Sequence, residues 1–247
     1  MAEKVARTRV IREIAPDVLV VEADCQDPPT LGWRAGQFLS VRCGAADDKN
    51  PARRSYSIAS TPLKEEGFDF LVKLLPHGVG SALFASLRPG DPIHFTGPMG
   101  FFVNDLQHAG DAVYCATGTG IAAALPMIQE VLARPSEGGK VRLYWGMRSE
   151  EELYWQDELA ALAHPRFEAE LWLSRPSASW TGRRGRISHP VVAALPDLHK
   201  PVFYVVGNGD MVRDVRALLL AAGVDRKRQI RQEVFYPERG PETRSAS

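Results

Sequence analysis

Cysteine is scarce in this chain: Cys25, Cys43 and Cys115 are the three copies among 247 residues, and they stand far apart. An odd, scattered set does not make a disulfide framework and fits a reducing compartment. Three thiolates also fall short of the four that an iron–sulfur cluster requires, so each cysteine reads as a small buried apolar residue. Net charge is missing as well. Thirty Lys and Arg are matched by thirty Asp and Glu, which leaves no global field to hold a polyanion and rules against nucleic acid as a partner. The six histidines are too dispersed to form a metal site. No apolar run approaches the span of a bilayer, and Met1-Ala2-Glu3-Lys4 has no apolar core behind it. A soluble, cytoplasmic monomer is the expectation. Repeats are absent, and the polar stretch 237–247 is the one biased tract.

What the chain does have is a change of rhythm near residues 102–110. Before it, short segments at 5–14, 18–23, 37–43, 54–59, 68–74 and 92–96 are rich in Val, Ile, Phe or Tyr and split by turn residues. They read as six strands of an antiparallel β-barrel, forming a domain over 1–105. Val79, Leu83, Phe84 and Leu87 interrupt them at helical spacing before Arg88-Pro89-Gly90-Asp91 turns the chain. After residue 110 strands alternate with helices. Strands are expected at 112–116, 141–146, 167–173, 202–207 and 229–235, with helices over 121–133, 151–163, 190–195 and 211–222. That alternation predicts an α/β domain over 106–247 with a five-stranded parallel, Rossmann-like sheet.

Three short segments carry chemistry. Thr117-Gly118-Thr119-Gly120 follows an apolar strand and opens a helix, where backbone N–H groups approach an anion closely and the helix dipole assists. A third glycine of the full dinucleotide fingerprint is missing, since Ala123 and Ala124 follow, and a tight structural turn is the alternative. Arg54, Tyr56 and Ser57 offer a cation, a planar ring and a hydroxyl, with Arg54 and Tyr56 on one face of a strand. That set suits a flat cofactor carrying phosphate; an ordinary strand with Tyr56 in the core and Arg54 solvated is the alternative. His77-Gly78-Val79-Gly80-Ser81 supplies a second glycine-rich turn leading into a helix, hence a second anion site in the same half.

In this order the motifs resemble the ferredoxin–NADP reductase family of flavoproteins, and within it the compact bacterial ferredoxin or flavodoxin reductases. The likeness runs from Gly36-Gln37-Phe38 to Glu233-Val234-Phe235. It passes through Arg54-Ser55-Tyr56-Ser57, Leu71-Val72-Lys73, Gly78-Val79-Gly80-Ser81, Gly97-Pro98, Gly118-Thr119-Gly120-Ile121-Ala122, Tyr144-Trp145-Gly146-Met147-Arg148 and Gly207-Asn208-Gly209-Asp210-Met211. The resemblance implies tightly bound FAD in the barrel and NADP(H) on the parallel sheet. It implies Arg54 and Val79, Gly80 and Ser81 at the FAD pyrophosphate, Tyr56 on the isoalloxazine and Ser57 near flavin N5. Ser55, Leu71, Val72, Lys73 and Gly78 complete the flavin set, and Thr119 reaches the flavin from the other domain. For the nucleotide it implies Gly118, Gly120, Met147, Asn208, Asp210 and Met211. Ser174, Arg175 and Arg183, assisted by Arg148, would meet the 2′-phosphate, because the arginine fork donates to two phosphate oxygens at once. NADPH is therefore expected ahead of NADH. A solvated basic loop at Arg183, Arg184 and Arg186, or a docking patch for an acidic carrier, is the alternative.

The implied activity is hydride transfer between NADP(H) and flavin, with single electrons passing to a ferredoxin, a flavodoxin or an oxygenase component. Nicotinamide C4 and flavin N5 then have to come within roughly 3 to 3.5 Å. A stand-alone flavin reductase and a non-catalytic flavin-binding relay subunit are the alternatives. The chain departs from the family pattern in three places. Ala123 replaces a common proline, and Val206 replaces a cysteine found near the nicotinamide in relatives. The chain also continues eleven residues past Tyr236, where the family often ends in an aromatic residue stacked on the flavin. Phe235 fits that aromatic position best, with Val234 or Tyr236 facing the ring as the alternative, and the tail either covers the adenine end of the flavin or frays. Glu233 either relays a proton or hydrogen-bonds its neighbours.

Overall fold

Two six-stranded sheets, one antiparallel and one parallel, organise the described residues of the computed structural model, which are 2–44, 50–64, 67–134 and 138–235. The first contains β1 (Lys4–Ala15), β2 (Val18–Asp27), β3 (Phe38–Cys43), β4 (Ala52–Ser57), β5 (Phe68–Lys73) and β6 (Pro92–Met99), in the order β4-β3-β6-β1-β2-β5. Its two edges meet, closing a barrel: the Ala59 N–H donates to the Asp69 carbonyl at 2.8 Å, and the Asp69 N–H to Ser60 Oγ at 3.0 Å. Strand alternation sends Phe68, Phe70 and Val72 inward, against Leu39, Val41, Ile93 and Phe95. The helix α1 (Val79–Ser86) adds Phe84 to this interior.

The second sheet contains β7 (Ala112–Thr117), β8 (Val141–Met147), β9 (Phe167–Leu173), β10 (Arg183–Arg184), β11 (Val202–Asn208) and β12 (Ile230–Phe235). They run in the order β10-β9-β8-β7-β11-β12, every neighbouring pair parallel. The sheet therefore has six strands where five are expected. The addition, β10, is two residues long and too short to show periodicity. The chain builds outward from β7 to β10, then returns to lay β11 on the other side of β7. That reversal creates a switch point at the carboxyl ends of β7 and β11, where ligands collect in open α/β sheets.

The helices are α2 (Ile121–Leu132), α3 (Gln156–Ala160), α4 (Ser188–Ala193), α5 (Gly209–Ala221) and α6 (Arg226–Gln229). The long helix expected over 151–163 is instead a 3₁₀ turn at Glu150–Glu152 followed by the short α3. Trp155 separates them at φ 55°, a left-handed conformation that a helix cannot pass through. α6 is unexpected; the Asp225 carboxylate caps it by accepting from the N–H groups of Lys227 and Arg228.

One apolar cluster joins the two sheets. Val18, Val20, Ala59 and Leu71 from the barrel pack with Ile121, Ala122, Leu125 and Ile128 of α2 and with Tyr114 and Tyr204 beneath. Among the described residues no helix is long and apolar enough to cross a membrane.

Candidate functional site

On the barrel side, the end of β4 meets the start of α1. A Cβ added to Gly80 would collide with the Tyr56 hydroxyl and lie 3.3 Å from Arg54 Cγ, so glycine is what lets both side chains lie over this turn. The Tyr56 ring packs edge-on to Phe84 at 4.7 Å and reaches Phe70 at 5.7 Å. Gly78 opens α1 without a side-chain cap, which leaves the dipole at this end uncompensated by any carboxylate in the first turn. Ser81 is buried, and its hydroxyl accepts from the Leu75 N–H at 2.8 Å. Ser55 lies exposed on β4.

On β5, Asp69 turns its peptide groups away from β2 and toward Ala59 and Ser60. Alternation gives Leu71 and Lys73 the same outward direction along the seam with β4. Val72 faces the barrel interior. The Lys73 ammonium is bound to the Pro16 carbonyl at 2.7 Å, so this residue offers the seam its backbone rather than its charge.

On the sheet side, Gly118–Gly120 form a 3₁₀ turn at the exit of β7 that lies against β5. Gly118 takes φ +52°, its carbonyl accepts from Trp145 Nε1 at 3.1 Å, and Thr119 is half-buried. A side chain on Gly120 would strike the Val206 carbonyl at 2.6 Å, and one on Gly207 would strike Thr117. Thr117 Oγ1 accepts from the Asn208 N–H at 3.0 Å, and Asn208 Oδ1 caps α5 by accepting from Asp210 N–H at 2.9 Å and Met211 N–H at 3.4 Å. Asp210 is ion-paired with Arg213. The side chains of Asn208 and Asp210 are thus engaged in shaping the turn.

At the neighbouring strand ends the Met147 carbonyl accepts from the Ser174 N–H at 3.0 Å and its hydroxyl at 3.3 Å. The Arg148 carbonyl accepts from the Arg175 N–H at 2.7 Å. Among the described residues the Arg148 and Arg175 guanidinium groups have no ion pair or hydrogen bond, and both are exposed. Arg183 differs. Its Nε lies 3.3 Å from a Glu170 oxygen and its guanidinium 5.4 Å from the centre of the Trp172 ring. Arg184 donates to the carbonyls of Ser177, Ala178 and Trp180, and Arg186 lies 3.6 Å from Asp214. The three are exposed but individually committed, unlike a loosely solvated basic loop. Glu150, which sequence reasoning does not single out, accepts from the N–H and hydroxyl of Ser177. Its one trace in the sequence is the acidic run Glu150-Glu151-Glu152 just after Arg148.

The two halves meet at Ser57 and Glu233. Ser57 ends β4, and its buried hydroxyl makes no full hydrogen bond with any described protein group. Glu233 lies on β12, opposite Val206 in the parallel register. Burial pushes its carboxyl from the ordinary 4.5 up to about 7, with the nearby Ser57 hydroxyl pulling the other way. Phe235 is half-buried against the cluster that joins the sheets. Tyr236 and the 237–247 tail lie outside the described residues.

These features fit a bound dinucleotide flavin. A buried hydroxyl waits for a partner, a helix start is cleared by glycine beside Arg54, and an edge strand turns peptide groups toward the same seam. A closed barrel of this kind, set against a parallel sheet with a glycine turn at its switch point, defines a two-domain oxidoreductase that takes FAD and a pyridine nucleotide. Residues 7–103 match the oxidoreductase FAD-binding domain and residues 115–217 the oxidoreductase NAD-binding domain. The chain is 31% identical over 235 residues to ferredoxin–NADP reductase B of Sorangium cellulosum, covering 90% of this chain and 93% of that protein. It is 32% identical to the ferredoxin–NAD(+) reductase component of the Xanthobacter autotrophicus alkene monooxygenase system, over 92% of this chain and 68% of that one. The crystal structure of a ferredoxin NADP+ reductase from Neisseria gonorrhoeae with bound FAD and NADP superposes with a TM-score of 0.79 at 26% identity, covering 95% of this chain and 99% of that one. The chain belongs to the ferredoxin–NADP reductase family.

Proposed function

We propose that this oxidoreductase prefers NADPH and passes electrons singly to a separate ferredoxin, flavodoxin or oxygenase component, with residues 1–105 holding FAD and 106–247 the nucleotide. The observation that carries the NADPH preference is the pair of uncommitted guanidinium groups, Arg148 and Arg175, at adjoining strand ends. A backbone hydrogen bond joins the two residues, and two such guanidinium groups on adjoining strand ends suit an anion with several acceptor oxygens. The partner class rests on relatives whose names specify ferredoxin or an oxygenase system. The odd cysteine count supports a reducing, cytoplasmic setting.

When bound, FAD supplies the conversion between two-electron hydride chemistry and single-electron transfer. The protein's part is to bind, orient and manage protons. Arg54 and the backbone at Gly78, Val79, Gly80 and Ser81 bind the pyrophosphate, with Tyr56 and Phe235 against the ring system. Ser55 and the peptide groups of Leu71, Val72 and Lys73 line the same cofactor, and Thr119 meets it from the sheet. The Ser57 hydroxyl donates toward N5, and Glu233, poised near neutrality, holds a proton next to it. Gly118, Gly120, Met147, Asn208, Asp210 and Met211 shape the nicotinamide nucleotide site, and Ser174 joins Arg148 and Arg175 at the phosphate. Arg183, already bound to Glu170 and Trp172, contributes less than the sequence implies.

The test is anaerobic reduction of the purified flavoprotein by NADPH and NADH in matched cuvettes. Parent enzyme should bleach at near-stoichiometric NADPH. Arg148→Ala and Arg175→Ala should each raise KM for NADPH by about 10- to 100-fold, that for NADH by less than about threefold, and Arg183→Ala should do neither. Equal effects on both nucleotides would remove the phosphate pocket.

A further inference from the structure

The loop between β9 and β10 carries Arg175 yet has no regular structure of its own; among its ties, three bear on Arg175 and Ser177. The Arg175 N–H binds the Arg148 carbonyl at 2.7 Å. Two residues on, Ser177 gives its N–H to both Glu150 oxygens, at 3.0 and 3.1 Å, and its hydroxyl to one of them at 2.5 Å. The Ser177 carbonyl is in turn held by Arg184 Nη2 at 3.0 Å. Pro176, between Arg175 and Ser177, has a fixed φ, so the orientation imposed on Ser177 is passed to Arg175 with little slack. Glu150 itself sits two residues past Arg148, in the 3₁₀ turn at the exit of β8. One carboxylate thereby relates the two uncommitted arginines to each other.

A carboxylate beside an anion site opposes the anion's charge. Electrostatics alone would therefore exclude an acid at this position, and a positional role accounts for it. We propose that Glu150 is a positioning residue for nucleotide choice, fixing through Ser177 where the Arg175 guanidinium stands to receive a 2′-phosphate; this rests on the NADPH reading above. The hydrogen bonds from Ser177 hold the Glu150 carboxyl below the usual carboxylate range, so the clamp persists throughout neutral pH.

The experiment is steady-state kinetics on the holoenzyme with ferricyanide as acceptor. Glu150→Ala should raise KM for NADPH by about tenfold and leave kcat and KM for NADH within about twofold. Glu150→Gln keeps one acceptor for Ser177 while removing the charge that opposes the phosphate, and its KM for NADPH should stay at or below the parent's. In the Arg175→Ala background, Glu150→Ala should have no further effect, because the two act through one contact. The inference is overturned if Glu150→Ala leaves KM for NADPH unchanged, raises both KM values alike, or multiplies with Arg175→Ala. Arg175→Ala acting equally on both nucleotides would overturn the NADPH reading, and this inference with it.

Discussion

Ser57 and Glu233 lie side by side although 175 residues separate them in the chain and they belong to different sheets: Ser57 closes β4 of the barrel, and Glu233 sits on β12 at the outer edge of the parallel sheet. The neighbourhood puts a buried hydroxyl without a full protein partner beside a carboxyl that titrates near pH 7. It is one of the places where the two halves share polar contacts; another is Asn104, which donates to the Met127 carbonyl at 2.8 Å and accepts from the Tyr114 hydroxyl at 2.6 Å.

Replacing Glu233 should change how stability depends on pH. Its carboxyl is raised from 4.5 to about 7 by burial. Below the lower value, both the folded and the unfolded chain hold the proton. Between the two values the unfolded chain releases its proton first, so the native state loses up to about 3 kcal/mol as pH rises. Glu233→Gln removes that loss. Denaturant melts of the two proteins at pH 5 and pH 8 should differ at the higher pH, with the variant the more stable. Parallel curves at both pH values would mean that Glu233 titrates normally.

Ser57→Ala should separate chemistry from folding. Among the described residues its hydroxyl surrenders no full hydrogen bond, so the melting midpoint should stay within about 0.5 kcal/mol of the parent's stability. With Ser57 the donor proposed above for the flavin's reacting edge, its loss should slow anaerobic reduction by NADPH about 100-fold. Stopped-flow absorbance gives the rate. Reduction at the parent rate would leave Ser57 a packing residue.

Gly80→Ala addresses retention of the cofactor. The added Cβ would strike the Tyr56 hydroxyl and approach Arg54 Cγ at 3.3 Å, displacing two of the groups assigned to FAD. The alanine variant should elute with little yellow colour and bind added FAD about tenfold or more weakly, since overpacking costs about 1–3 kcal/mol. Full flavin content after gel filtration would show that Tyr56 yields without consequence.

The barrel was legible because its strands are short, rich in Val, Ile, Phe or Tyr and split by turn residues, and because β3 and β6 alternate cleanly, although β2 buries four consecutive residues, Val18 to Val21. Phe68, Phe70 and Val72 mark β5 by period alone. The parallel half was legible wherever apolar runs are long, as in β7 and β11. β10 was not, because Arg183 and Arg184 have neither length nor pattern and are recruited by pairing with Trp172 and Leu173. The interval 151–163 carries helical composition, but Trp155 adopts a left-handed backbone with its ring edge-on to Tyr154, a tertiary choice that propensity does not record. The same limit applies to the arginines. The family resemblance groups Arg148, Arg175 and Arg183, whereas the contacts of Arg183 with Glu170 and Trp172 exist only in the folded sheet. Glu150 was invisible for the same reason: its meaning depends on Ser177, which only the folded loop brings to it.

The apolar cluster that joins barrel to sheet through α2 has a consequence for how enzymes of this build diversify. Val18, Val20 and Leu71 on one side and Ile121, Ala122 and Leu125 on the other are all nearly sealed from solvent, so substitutions there disturb the distance between the two halves. Arg148 and Arg175, the residues proposed above to select the nucleotide, lie instead on exposed strand exits, outside that packing. On that reading, a change of reductant preference needs substitutions in those loops alone and leaves the packing that spaces the two halves untouched.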